Sequence, residues 1–383
     1  MRELTRKILL PIHRMIGLVV GAVFVLVGLS GAVLAFREDV DEWLNAPLMR
    51  VEAPAPPSSY RPLDDILAAA TAAMPAEGRM ERLTMPRHAR AAATTTYILE
   101  TDDLDTFLYE MFIDPYSARV TGQRMLLHGD DPFSQPLVPI VMAFHWTLLL
   151  GANNAYLIGA VGLLFVASLL LGFYLWRPLN GNWRMGLTVK WGASRERVAY
   201  DLHRSVGAWC GAILLVMLVT GVAMIFKPMT RSALALFSTM RADPDFGRST
   251  PLADGAGIGV DAAVATASTV FPDGRLHWIL LPSGPEGVYV VGKQSGGEPN
   301  RTKTFRNVSV DRYSGAILHV QNREDFSAGE RVLEWLYPLH SGEAFGGLGR
   351  TLALLIGIAP LVLYVTGFLR WRHKRRARKL AAR

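Results

Sequence analysis

Four stretches of this 383-residue chain contain no Asp, Glu, Lys or Arg and are long enough to cross a lipid bilayer. They are Met15–Phe36, Pro132–Trp176, Ser205–Phe226 and Thr351–Leu369. A helix rises about 1.5 Å per residue, so about 20 apolar residues cover roughly 30 Å of hydrocarbon. The first, third and fourth stretches fit one helix each. The second has 45 uncharged residues, too many for one crossing. Gly151-Ala152-Asn153-Asn154 is the expected break, leaving Ala155–Trp176 as the span and Pro136–Leu150 as a helix before it.

The net charge of +7 would suit a nucleic-acid partner, but its layout argues for a membrane. Residues 1–14, 177–204 and 370–383 hold 18 of the 40 Lys and Arg against Glu3, Glu196 and Asp201, a balance of +15. The two long segments between spans hold the other 22 against 30 acids, a balance of −8. Short basic segments stay in the cytoplasm. The expected location is therefore a bacterial inner membrane, multi-pass, with both termini cytoplasmic and two large periplasmic segments. The tail Arg370–Arg383 reads as a topology anchor, and no nucleic acid is expected as partner. Arg2, Arg6 and Lys7 before an apolar stretch look like a signal peptide. That stretch runs into Arg37-Glu38-Asp39 without a small-residue cleavage site, so an uncleaved first helix is expected. A single cysteine, Cys210, excludes paired-thiol chemistry.

The chain repeats itself. At an offset of 190, His13-Arg14 matches His203-Arg204, and Gly17, Gly21, Gly31 and Phe36 match Gly207, Gly211, Gly221 and Phe226. At an offset of 195, His145 matches His340, Gly172-Phe173 matches Gly367-Phe368, and Trp176-Arg177 matches Trp371-Arg372. Each intervening segment opens with an alanine-rich helix ending at a proline, Asp64–Met74 and Val260–Phe271. β-prone runs follow at Thr94–Thr101, Phe107–Asp114, Leu276–Leu281, Gly287–Gly292 and Arg306–Asp311. Asp114-Pro115-Tyr116-Ser117 and Asp311-Arg312-Tyr313-Ser314 mark equivalent turns.

The expected fold class is membrane α-helical: four transmembrane helices in two parallel helix–outer domain–helix repeats, each with a small periplasmic α+β module. The expected divisions are 1–36 (N-terminus and first helix), 37–135 (first module), 136–176 (pre-helix and second span) and 177–202 (cytoplasmic loop). The second copy follows as 203–226, 227–339 and 340–371, with a basic tail at 372–383. Two copies with the same in–out–in path are related by an axis along the membrane normal.

Four of the nine histidines form two duplicated couples. His13 and His203 open the first and third spans; His145 and His340 precede the second and fourth. An axis along the normal sets equivalent residues at one depth, facing each other, as bis-histidine ligation of a haem iron requires. Gly17, Gly21, Gly207 and Gly211 would clear space beside the inner couple. The plainer alternative is that the histidines are interfacial polar residues and the glycines serve helix packing. Arg14 and Arg204 suit either propionate pairing or topology anchoring. His373 is an alternative inner ligand, and His128 a remote candidate for substrate contact. His145 and Trp176 stand 31 residues apart, about 46 Å on one straight helix. Only a fold at the 151–154 break would bring two such sites close. No Walker loop, strand-borne GxGxxG, HExxH or CxxCH occurs, so bound nucleotide and covalent haem are unsupported.

The repeated His-Arg-x-[Ile/Val]-Gly helix, the Asp-x-Tyr-Ser-[Ala/Gly] turn and the closing Gly-Phe-x-x-Trp-Arg resemble the PepSY-associated transmembrane family. They resemble in particular its ferric-siderophore reductases of the ferrioxamine type. The resemblance implies PepSY-like modules, two non-covalent haem b groups on His13, His203, His145 and His340, and periplasmic reduction of a ferric siderophore of hydroxamate type. It implies electrons from an unidentified cytoplasmic or membrane donor. Two other readings stay open: a haem-free periplasmic binding, sensor or peptidase-regulating protein, and a b-type cytochrome with a different acceptor.

Overall fold

The apolar stretches fold as helices whose breaks fall where the sequence stops favouring helix. The computed structural model describes residues 2–55, 59–100, 105–129, 131–176, 183–252, 255 and 257–382. Arg177 of the first Trp-Arg pair, Asp130 beside His128, and the Thr101 end of one expected strand lie outside the described residues. The chain divides into a helical unit, Met1–Arg37, Val141–Phe237 and Val332–Arg383, and a sheet unit, Glu38–Ile140 and Ser238–Arg331.

In the helical unit, α1 (Arg2–Val19) and α2 (Gly21–Leu34) form one apolar path bent by 58°. α3 (Leu137–Thr147) and α4 (Ala155–Trp176) share the long uncharged run. The break between them starts at Leu148 and Leu149, both at positive φ (54° and 62°), and includes Gly151 at φ 81°. It falls where Gly151–Asn154 signalled it. α5 (Arg195–Ile225) starts eight residues before His203, with the Ser194 side chain capping its first turn. α6 (Ala328–Ser341) and α7 (Gly346–Ala381) are separated by Gly342 in the left-handed region, φ 81°. Three apolar segments qualify as membrane crossings and the bent pair makes up to four. The protein is a multi-pass membrane protein.

Small residues set the helix spacing. A Cβ on Gly28 would lie 2.7 Å from the Gly357 oxygen, and a Cβ on Gly357 would lie 2.7 Å from the Gly28 oxygen. The backbones of α2 and α7 thus touch, a contact available only to glycine. Phe24, Leu214, Leu218 and Ile356 form the buried centre of the bundle, with Phe165 stacked on Phe24 at 3.7 Å.

The sheet unit is a single eight-stranded antiparallel sheet in the order β4-β3-β2-β1-β5-β6-β7-β8. Its strands are β1 (Arg79–Thr84), β2 (Ala93–Glu100), β3 (Thr106–Ile113), β4 (Val120–His128), β5 (Arg275–Leu280), β6 (Val288–Gln294), β7 (Arg306–Asp311) and β8 (Ile317–Gln321). Sequence patterning gave two modules; the structure joins their strands through β1 and β5, Leu83 opposite Ile279. Helices Leu63–Ala73 and Val260–Val270 pack Ile66, Ala70, Ala263 and Ala267 into a core with Leu83, Tyr97, Met111, Ile279, Val291 and Val308. The two Asp-x-Tyr-Ser turns are alike. Asp114 accepts from the Tyr116 amide and the Ser117 hydroxyl, and Asp311 from the Tyr313 and Ser314 amides. The left-handed residue that closes each turn is Ala118 in one and Gly315 in the other.

Candidate functional site: two histidine pairs in the helical unit

Four imidazoles meet as two pairs. The ring centroids of His13 and His203 lie 6.2 Å apart with planes at 75°. Those of His145 and His340 lie 6.0 Å apart with planes at 60°.

Each ring is tied in the same way. Nδ1 of His13 sits 2.9 Å from the Ser168 carbonyl oxygen, and Nδ1 of His203 2.9 Å from that of Leu363. Nδ1 of His145 sits 2.9 Å from the Val27 carbonyl oxygen, and Nδ1 of His340 2.7 Å from that of Met217. A carbonyl oxygen only accepts, so each Nδ1 carries a proton, and in the neutral ring Nε2 keeps its lone pair. Among the described residues no hydrogen bond engages those four Nε2 atoms. A hydroxyl stands beside each Nδ1: Ser168, Thr366 and Ser30 at 3.1 Å, Thr220 at 3.4 Å.

A helical carbonyl is normally covered by the side chain four residues on, which leans back over the preceding turn. Here the residue four after each acceptor carbonyl is glycine: Gly31 after Val27, Gly172 after Ser168, Gly221 after Met217, Gly367 after Leu363. An added Cβ would lie 2.8 Å from Cε1 of His145 at Gly31 and 2.8 Å from Cε1 of His340 at Gly221. At Gly367 and Gly172 the corresponding distances, to His203 and His13, are 3.3 and 3.4 Å. These glycines uncover the carbonyl and seat the ring edge. The segments read VGLSG, SLLLG, MLVTG and LYVTG, a four-times-repeated pattern that sequence reasoning passed over.

The glycines singled out from sequence divide. Gly17 has nothing within 4 Å of an added Cβ, and Gly207 only Leu363 at 3.7 Å, so both leave space one turn from their histidines. Gly21 and Gly211 are instead filled by the rings of Tyr364 and Phe173. Arg204 donates to the buried Asp201 carboxylate at 3.2 Å, while its Nε is buried without a partner. Arg14 lines a basic pocket at the end of α7. His373 lies 3.7 Å from Glu196 while His13 pairs with His203, which leaves the duplicated couple intact. His128 is bound to Asp105 at 2.5 Å and stacked on Phe107.

The depth problem resolves itself. α3 brings His145 to the Val27 carbonyl, fourteen residues along from His13, and His340 meets Met217, fourteen residues along α5 from His203. Fourteen residues on continuous α5 rise about 21 Å, half the straight-helix figure.

Among the described residues no group of three or more His, Cys, Asp or Glu is placed to hold a metal ion. A structural zinc asks for four protein ligands. Two imidazoles alone suit a metal that brings its other donors with it, as iron porphyrin does. A metal midway between two imidazoles, bonded to each at about 2 Å, sets the ring centroids about 6 Å apart. Both pairs fit.

No curated protein matches this chain. The family model for the PepSY-associated TM region matches residues 10–374. That match runs through all four histidines and both units, and the chain belongs to the PepSY-associated transmembrane family.

Proposed function

We propose that this protein is a dihaem electron carrier that passes electrons across the bacterial inner membrane to a ferric siderophore on the periplasmic side. The observation that carries the reading is the pair geometry: two couples of imidazoles about 6 Å apart, with every Nδ1 within hydrogen-bond distance of a helical carbonyl and, among the described residues, no hydrogen bond on any Nε2. His13 and His203 would hold one haem b, His145 and His340 the other. Haem, when bound, supplies a one-electron Fe(III)/Fe(II) couple. The chain's own part is to fix each ring. The Nδ1–H bond sets tautomer and orientation, and the neighbouring hydroxyls and glycines hold the imidazole against rotation. Phe24, Phe165, Leu214 and Leu218 form an apolar cluster within the same bundle.

The two helix–outer domain–helix repeats, related by an axis along the membrane normal, belong to the same reading, with the basic ends of the spans on the cytoplasmic side. The acceptor rests on the resemblance to ferric-siderophore reductases. Hydroxamate siderophores hold Fe(III) through hard oxygen donors, and one added electron gives an ion that such donors hold far more weakly.

Protein purified in detergent from cells with ample haem should carry two haems per chain. His203→Ala should leave one, and His203→Ala with His340→Ala none. The reduced protein should be reoxidised by a ferric hydroxamate. Haem-free protein would defeat the reading. Full haem content without reoxidation by any ferric chelate would leave the cytochrome and remove the acceptor.

A further inference from the structure

The charged end of α7 forms a built pocket rather than a loose basic tail. Lys374, Arg375, Arg378 and Lys379 line a cavity of about 290 Å³ together with Arg14 of α1 and the ring of Trp371. Among the described residues, no acidic side chain lines it. Trp371, Lys374, Arg375, Arg378 and Lys379 recur at the three- and four-residue spacing of one helix face, and the four cations among them are exposed. His373, on another face, meets Glu196. Arg372 and Arg376 are equally exposed and do not line the cavity.

We propose that this pocket binds the phosphodiester headgroup of an anionic phospholipid. Five cations converge here with no acid among the described lining residues, and an anion seated between them relieves their mutual repulsion. The pocket lies where a membrane-spanning helix leaves its apolar stretch, beside a tryptophan of the kind that settles at headgroup level. A concave basic site between membrane helices matches a phosphodiester in size and charge, whereas a protein partner would need a broader surface. The proposal rests on the chain being a membrane protein and does not depend on the haem reading.

The test compares two variants with the same loss of charge. Lys374→Gln with Arg378→Gln empties the pocket of two cations; Arg372→Gln with Arg376→Gln removes two from outside it. Full-length protein is titrated with phosphatidylglycerol in phosphatidylcholine nanodiscs, and bound lipid is counted by native mass spectrometry. Wild type and the outer variant should retain phosphatidylglycerol equally, and the pocket variant should bind it roughly 30-fold more weakly. Inorganic phosphate at equal concentration should not displace the lipid. Equal losses in the two variants would reduce the effect to bulk charge. Displacement by inorganic phosphate would make this a soluble-anion site. Loss of Soret absorbance from the pocket variant alone would reassign the cations to haem propionates. Each of these three results overturns the proposal.

Discussion

In the sheet unit several carboxylates close on the chain's own amides and guanidinium groups, whereas in the helical unit four half-buried histidines each carry, among the described residues, a ring nitrogen without a hydrogen bond. Arg124 lies between Asp41 and Glu110, at 2.7 Å from each. Asp64 accepts from the Val260 and Asp261 amides, and Asp261 from those of Leu63 and Asp64. Such groups are satisfied by folding alone. Under the dihaem proposal the open Nε2 positions are where the iron would bind, which places the ligand chemistry of that proposal in the helical unit. The contrast predicts that substitutions there change cofactor content, and that substitutions in the sheet unit change stability alone.

The largest effect should come from the glycines that seat the rings. In Gly31→Ala and Gly221→Ala the new methyl stands 2.8 Å from an imidazole carbon, so the ring must move, and moving it breaks the Nδ1 bond to the carbonyl. Gly367→Ala and Gly172→Ala place it at 3.3 and 3.4 Å, where a small adjustment suffices. The first two should lose the haem of the His145/His340 pair and cost about 1–3 kcal/mol of stability. The second two should keep both haems with a smaller shift in thermal midpoint. Haem per chain and thermal unfolding, measured on all four, check the ranking. Equal behaviour of the four variants would show that the glycines serve helix packing only.

Much of this was legible in the sequence, for physical reasons. Spans show as missing charge, because ions are costly in hydrocarbon. The break before α4 shows as Gly151, which matches Gly346 of the second copy, both at positive φ, although Leu148 and Leu149 carry the left-handed backbone first. The histidine couples show because duplication matches them at two offsets. Two things were hidden. The joining of the modules through β1 and β5 depends on edge pairing between strands nearly 200 residues apart, which no local pattern encodes. The glycines at the rings were hidden because helix contact also selects glycine. Gly21 and Gly211, one turn beyond Gly17 and Gly207, turn out to receive Tyr364 and Phe173.

The reciprocal aspartates test the other half of the contrast. Each carboxylate satisfies the first two amides of the other alanine-rich helix, which have no acceptor within their own helix. Asp64→Ala or Asp261→Ala should each cost about 1 kcal/mol, as a lost N-terminal cap does. The double variant should cost less than the sum, because the two caps share one contact. Haem content should stay at the wild-type value throughout. A fall in haem with either substitution would break the division between self-satisfied and ligand-requiring regions.

The smallest effect concerns Glu330, whose carboxylate hydrogen bonds to Arg241 hold at about 2, well under its ordinary value of 4.5. The Arg241 guanidinium makes this contact at 2.8 Å and the Ser327 amide adds another at 2.9 Å. An acid whose folded value is depressed contributes stability above its unfolded value and loses it as pH falls toward the folded one. The Arg241 side chain is half exposed, at 50%. With that screening allowed for, Glu330→Gln should cost only about 0.5 kcal/mol at pH 7. The gap from wild type should narrow below pH 4.5 and close near pH 2. Thermal unfolding of both proteins in detergent at pH 7, 4 and 2.5 measures it. A gap that stays constant over that range would mean the carboxylate acts through shape and not charge. A matching pH-dependent loss of haem would tie this sheet-unit ion pair to the histidine pairs and undo the separation.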